Sequence, residues 1–159
     1  IRSGQMNYYM NGKRVLLNTG EALMVNSRQM HYGYSENGQD CDFIRILCHP
    51  KIFITNSVLY QSYIAPVLSN PSLEYLHLKP EFPEDAEALQ LLPEILRIKK
   101  EHPAAYEIEA AALLSLLWCR LLRRCLIFTA TTASPSISTK LRPPEKSAAT
   151  SAVRFSAVI

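Results

Sequence analysis

The first half of the chain alternates short apolar runs with turn residues, as antiparallel strands do. Asn11-Gly12 separates two such runs and indicates a two-residue hairpin turn, because both residues tolerate the positive φ that a type I′ turn requires. Asn18-Thr19-Gly20 and Glu36-Asn37-Gly38 mark two further turns. The pattern predicts an antiparallel meander, with strands at about 6–10, 13–17, 21–26, 30–34 and 41–48.

After Pro50 the apolar positions change to helical spacing. This spacing predicts one or two short helices before the Asn70-Pro71 break, and then a short strand over about 73–78 that returns to the sheet. A longer helix is predicted from Pro83 to about residue 101, and Pro93 is expected to kink it or divide it in two.

A second long helix is predicted from His102-Pro103 to about residue 124, with glutamates early and arginines late, the order that the helix dipole favours. It is apolar over more than one stripe, so it needs a second partner besides the sheet. That partner is either the preceding helix or a neighbouring subunit, and the sequence leaves both open. Glu84, Asp85 and Glu87, at the start of the preceding helix, are interpreted as a solvated cap.

Composition narrows the classes of protein to consider. The chain has 159 residues, 48% hydrophobic and 19% charged, with a net charge of +3, which suits one domain with an appendage. Its basic residues are mostly scattered, so a DNA-binding face is not predicted. The four cysteines lack metal-ligand spacing and are interpreted as free thiols in a reducing cytoplasm. Neither a signal peptide nor a membrane-spanning run is apparent, so a soluble cytoplasmic protein is expected.

The composition shifts to Thr, Ala, Ser and Pro from Leu126 onward. Periodicity is lost there, so residues 126–159 are predicted to be disordered. We interpret this tail either as a linker or as an out-of-frame reading of a former linker.

The most specific pattern in the chain is GEALMVNSRQMH, from Gly20 to His31. It has the spacing of the cupin motif G-x5-P-x-G-x2-H-x3-N, with Asn26, Arg28 and Ser35 at the proline, glycine and asparagine positions. SGQMNYYMNGK precedes it as strand, turn and strand, and CDFIRILCHP follows it as a strand closed by His-Pro. In order and spacing, these three segments resemble the effector-binding domain of AraC-type bacterial transcription regulators.

The resemblance implies an α+β fold with three parts. An antiparallel cupin-like β-barrel spans 1–80 and is incomplete at its N-terminal edge, two antiparallel helices span 81–125, and the disordered tail spans 126–159. The resemblance also implies that a small-molecule effector, such as a sugar, binds inside the barrel, and it implies no cofactor. DNA would be bound only through a helix-turn-helix domain that this chain lacks, so the chain is interpreted as a truncated regulator. A homodimer contact through the helices is assigned to Leu113, Leu116, Leu117 and Leu121.

The residues predicted to bind the effector are Tyr8, Met24, Asn26, His31, Phe43 and Arg45. Tyr9, Tyr32 and Tyr34 offer further aromatic surface, although tyrosine is also an ordinary strand residue. His31 is interpreted as a pocket residue, as a structural histidine bonded to a backbone carbonyl, or as a metal ligand. Strand alternation places Phe43, Arg45 and Leu47 on one face. On that face, Arg45 is interpreted either as binding an anionic or polyhydroxy ligand or as a side chain that reaches solvent or forms a salt bridge.

An enzyme is not predicted, because no nucleophile with its base, phosphate-binding loop or paired-carboxylate site is apparent. The competing class is a metal-dependent cupin enzyme, an isomerase or dioxygenase. Its His-x-His and carboxylate would have to precede Gly4 in a longer sequence, since His31 alone does not make a metal site. A third hypothesis is a dimerisation module with a vestigial barrel.

Overall fold

The computed structural model describes residues 1–35, 40–52, 54–132 and 155–158. They form an α+β fold in which two antiparallel sheets pack face to face and helices cover the outside of one of them. The strands are β1 (Gln5–Met10), β2 (Lys13–Asn18), β3 (Ala22–Val25), β4 (His31–Tyr34), β5 (Arg45–Cys48), β6 (Tyr75–Leu78) and β7 (Phe155–Val158). The α-helices are α1 (Ser57–Leu59), α2 (Ala65–Leu68), α3 (Pro83–Leu89), α4 (Leu92–Glu101) and α5 (Tyr106–Thr132), and a π-helical turn (Tyr60–Ile64) connects α1 to α2.

The first sheet has the strand order β2-β1-β4. Its β1–β2 turn has positive φ at Asn11 (47°) and at Gly12 (85°), so the predicted hairpin is confirmed. Side chains alternate along β1, and Met6, Tyr8 and Met10 point to the buried inner face.

The second sheet has the strand order β5-β7-β3-β6. All four residues of β3 are buried, because both faces of this strand are covered. Leu23 and Val25 face the first sheet, whereas Ala22 and Met24 face the helices. One isolated bridge, between Ser3 and Asp42, joins the chain just before β1 to the chain just before β5.

Two hydrophobic clusters result from this arrangement. The inner cluster lies between the sheets and contains Ile1, Met6, Tyr8, Met10, Val15, Leu17, Leu23 and Val25. The outer cluster packs the other face of the second sheet against the helices, with Trp118 of α5 at 3% exposure among its members. Because β3 contributes to both clusters, it connects the space between the sheets mechanically to α5.

The strand positions are confirmed to within a few residues, but the predicted meander is wrong. β3 pairs with β6 and β7 instead of with its neighbours in the chain, β2 and β4. The physical reason is that β3 is apolar on both faces and needs cover on both, which only a place between the inner cluster and the helices supplies.

The predicted division at Pro93 is confirmed, since α3 ends at Leu89 and α4 begins at Leu92. His102 does not open the next helix. It ends α4 with φ 48°, and α5 begins at Tyr106.

The predicted disorder of residues 126–159 is corrected at two places. α5 continues to Thr132, and residues 155–158 form β7 between β3 and β5. A four-residue strand has little intrinsic signal, and β7 gains its stability from ladders on both sides. The rest of that prediction falls on residues 133–154 and 159, which lie outside the described residues.

Ion pairs between α3 and α5 correct the interpretation of the acidic helix start. The Asp85 side chain is completely buried and accepts hydrogen bonds from Arg124 Nε at 2.9 Å and from the backbone N–H of Lys79 at 3.1 Å. Glu87, by contrast, is half-exposed and meets Arg120 at 3.1 Å. The antiparallel packing of the two helices brings acids at the start of one beside arginines near the end of the other.

Candidate functional site

The turn from β3 to β4 contains one residue with a left-handed backbone. Arg28 stands at the motif's glycine position and has φ 64°, in the left-handed region that usually favours glycine. The turn delivers His31 to the start of β4, opposite Met10 of β1. His31 therefore faces the space between the sheets, as the spacing of the motif predicts.

His31 stacks on Tyr8 at this inner face. The ring centroids are 5.9 Å apart and the planes differ by 19°. His31 Nδ1 lies 2.8 Å from the carbonyl oxygen of Gln29, which only accepts, so Nδ1 carries a proton and donates. The carbonyl bond foreseen for a structural histidine is thus present. In the neutral ring Nε2 is left as an acceptor, so this bond fixes the orientation of His31 without using up its hydrogen-bonding capacity.

Arg45 lies on the same inner side, on the second sheet. Through β7 its backbone is in register with Leu23, which belongs to the inner cluster. Partners in an antiparallel ladder share a face, so Arg45 faces inward as well. Phe43 and Leu47 follow the same alternation and are 39% and 55% exposed, whereas Ile44 and Ile46 pack against the helices. The predicted face of Phe43, Arg45 and Leu47 is therefore confirmed, and it is accessible.

The electrostatics link Arg45 to Tyr8. Burial raises the pKa of Tyr8 above its ordinary value, and the positive charge of Arg45 acts in the opposite direction. Arg45 is exposed, and among the described residues no carboxylate lies within salt-bridge distance of it. Tyr8 and His31 of the first sheet and Phe43 and Arg45 of the second sheet thus face the space between the sheets.

Met24 and Asn26 lie elsewhere. Met24 is 1% exposed in the outer cluster, against the helices. The Asn26 side chain donates to the backbone carbonyls of Val67 at 2.9 Å and Leu73 at 2.8 Å, and its oxygen accepts from the N–H of Ser27. These bonds fasten the turn after β3 to the chain around α2. The two residues share a face, as alternation predicts, but the structure does not bring them to Tyr8 and His31.

Tyr9, Tyr32 and Tyr34 also lie away from the inner face. They stack on the outside of the first sheet, with Tyr9 5.2 Å from Tyr32 and 5.8 Å from Tyr34. Tyr9 is adjacent to inward-facing Tyr8 and so points to the opposite side of its strand. Of the four tyrosines considered, only Tyr8 faces inward.

Sequence reasoning missed a pair formed by Glu21 and His77. Their side chains meet at 2.9 Å, and His77 is in register with Leu23. Burial acts to raise the pKa of Glu21, but hydrogen bonds from Asn18 and His77 outweigh it, and the net pKa lies below the ordinary value. The residues are 56 positions apart, so no local pattern indicates the pair.

The comparisons with known proteins decide the family. A family model described as the AraC-like ligand binding domain matches residues 1–118. This chain belongs to that family. The match covers both sheets apart from β7, every helix before α5, and the first half of α5. No curated protein and no solved structure matches the chain.

The family gives this AraC-like domain an effector-sensing role in a transcription regulator. A small apolar cavity of about 10 Å³ lies between β3 and the helices, lined by residues that include Met24 and Leu117. It has room for about one water molecule, so it is not an effector site. Within the described residues, no group of three or more His, Cys, Asp or Glu is placed to hold a metal ion. Among the helices as described, none is both long and apolar enough to cross a membrane.

The four leucines assigned to a dimer contact of the AraC-like domain have different surroundings. Leu117 and Leu121 are 3% and 2% exposed in the chain's own outer cluster. Leu113 is partly buried against the same cluster, and Leu116 is 39% exposed. Since α3 and α4 are the second partner of α5 within the chain, only Leu116 offers a substantial surface to another subunit.

All four cysteines are free thiols, as the sequence indicates. Burial raises the pKa of Cys48 to about 11, and burial likewise raises the pKa of Cys125 to about 11. Both thiols are therefore protonated and unreactive at neutral pH. Cys119 is exposed on α5.

Proposed function

We propose that this AraC-like domain senses a small metabolite in the bacterial cytoplasm by binding it between the two sheets. The observation that supports the proposal is that His31 from β4 and Arg45 from β5 face the space between the sheets from opposite sides, with Tyr8 stacked on His31. A ligand touching both would bridge the two sheets. DNA contact would belong to another part of the regulator.

The packing of β3 supports a route from the ligand to α5. Leu23 and Val25 line the space between the sheets, and Met24 between them packs against the helices. A ligand that shifts β3 must therefore also change the packing of α5. Differential binding to two such arrangements is what an effector needs in order to shift a regulator between states.

Replacement of His31 by asparagine is expected to weaken effector binding about tenfold, because it removes the Nε2 acceptor and the ring that stacks on Tyr8. The measurement is a thermal-shift screen with pentoses, hexoses and small carboxylic acids at millimolar concentration. A compound present at about 100 times its Kd stabilises the native state by roughly 2.7 kcal/mol, a shift that is easily seen.

The matched control is His102→Asn. The His102 ring lies against Tyr106 in a tilted arrangement at the end of α4, and asparagine tolerates its left-handed backbone. The control should keep every ligand-induced shift that the wild type shows. Equal loss in both variants, or no loss in His31→Asn, would contradict a role for His31 in binding.

We further propose that the domain forms a homodimer through an exposed stripe on α5. The stripe consists of Ile108, Ala112, Leu116, Cys119, Arg123 and Leu126, which fall three or four residues apart on the helix. Ile108 is 74% and Leu126 60% exposed, unusual values for large apolar side chains on a helix whose other face is fully packed. A second copy of the same stripe would cover them, as an isologous contact requires.

The substitution Leu116→Glu tests this dimer, because Leu116 lies at the middle of the stripe. The dimer dissociation constant of the Leu116→Glu variant is expected to be at least about tenfold higher than that of the wild type, because the substitution puts a charge into a buried apolar contact. Sedimentation velocity over a concentration series measures the change. Leu59→Glu is the control, because Leu59 is 46% exposed on α1 and lies outside the stripe. A monomeric wild type, or equal dissociation of both variants, would refute the α5 dimer.

A further inference from the structure

Arg45 differs from the other cationic side chains on the strands around it. Lys13 meets Glu74 at 2.7 Å and His77 meets Glu21 at 2.9 Å, so a carboxylate already balances each. Arg45 has no such partner among the described residues and keeps an accessible guanidinium on the inner face. A guanidinium presents donors in a planar fork, which matches the two oxygens of a carboxylate.

The surroundings of Arg45 on β5 are apolar. Phe43 and Leu47 lie two residues to either side on the same face, and both are substantially exposed. A sugar needs many hydrogen-bonding partners around its hydroxyls, and these neighbours supply none. They suit a ligand that joins one anionic group to a hydrophobic body.

From these observations we infer that the effector is a small carboxylic acid with an aromatic or aliphatic body, its carboxylate bound by Arg45 and its body lying against Phe43 and Leu47. This inference rests on the effector site proposed above and replaces a sugar with a class of ligand of different chemistry. His31 Nε2 lies on the facing sheet, where it can bond to a polar substituent at the far end of the same ligand.

Isothermal titration of the full chain with matched compounds tests the inference. The acids are benzoate, 3-phenylpropionate and octanoate, and each is paired with its primary amide, which keeps the shape and removes the charge. Arabinose and glucose serve as neutral polyols. At least one acid is expected to bind about tenfold or more tightly than its own amide, because a charge-assisted hydrogen bond exceeds a neutral one by that much.

Arg45→Gln is expected to abolish the preference for the acid while leaving the unliganded melting temperature unchanged, since Arg45 is exposed. Lys99→Gln removes the same charge from an exposed position on α4 and should keep the preference. If acid and amide bind equally, or a sugar binds and Arg45→Gln does not weaken it, the inference is overturned and the effector site stands. If no acid, amide or sugar binds, both the inference and the effector site fail.

Discussion

Asp85→Ala is expected to lower the free energy of unfolding by about 3 kcal/mol, at the lower end of the cost of breaking a buried ion pair because Arg124 keeps some access to solvent. The Asp85 side chain is fully buried and accepts from Arg124 and from the backbone of Lys79. Alanine leaves that N–H without a partner and removes the carboxylate nearest to Arg124. Urea denaturation followed by circular dichroism measures the loss.

Glu87→Ala on the same helix is the matched control. Glu87 is 55% exposed and pairs with Arg120 and Arg123 at the surface, so its loss is expected to cost about 1 kcal/mol or less. The difference between the two variants isolates burial from charge. If Asp85→Ala lowers the free energy of unfolding by no more than Glu87→Ala does, Asp85 does not fasten α3 to α5.

Gly4→Ala is expected to destabilise the protein by about 3 kcal/mol, from a strained left-handed backbone and from overpacking together. Gly4 has φ 79°, and a Cβ there would overlap the backbone oxygen of Asp40 and lie 3.3 Å from the Cα of Cys41. Backbone atoms cannot rotate away as a flexible side chain can. The overlap also falls beside the Ser3–Asp42 bridge that joins the two sheets, so the variant should lose effector binding as well.

Gly12→Ala separates the two contributions to the Gly4 effect. Gly12 has φ 85°, similar to Gly4, but nothing lies within 4 Å of its added Cβ. Its cost is expected to be that of the left-handed backbone alone, about 1 to 2 kcal/mol. Thermal and urea unfolding of both variants provide the comparison. A Gly4→Ala loss no larger than that of Gly12→Ala would mean that the chain near Asp40 moves aside freely.

Part of the candidate site was predictable from the sequence because it depends on local order. The spacing from Gly20 places His31 after the turn that follows β3, and alternation within FIRIL gives Arg45 its face relative to Ile44 and Ile46. Period and spacing determine which side chains share a face. They do not determine which of the two faces meets the other sheet, so the pattern predicts Met24 in the pocket although Met24 packs against the helices.

The ion pairs between α3 and α5 show that local patterns also fail to predict contacts between residues far apart in the chain. Asp85 and Arg124 are 39 residues apart, and each alone has the appearance of a helix-end charge. Their burial follows from the antiparallel packing of α3 on α5. In the same way, the excess apolar surface of α5 indicated a second partner, and the folded chain supplies α3 and α4.

Local patterns in the sequence predict the family resemblance, most strand and helix positions, the hairpin at Asn11-Gly12 and the inward direction of His31, because these depend on spacing, turn chemistry and side-chain period over short stretches. Three features follow instead from the packing of distant segments: β3 pairs in the second sheet and not with β2 or β4, β7 lies beside it, and Asp85 is buried. Those outcomes depend on which surfaces cover one another across distant parts of the chain. Burial and long-range pairing are properties of the packed whole, and no local pattern encodes them.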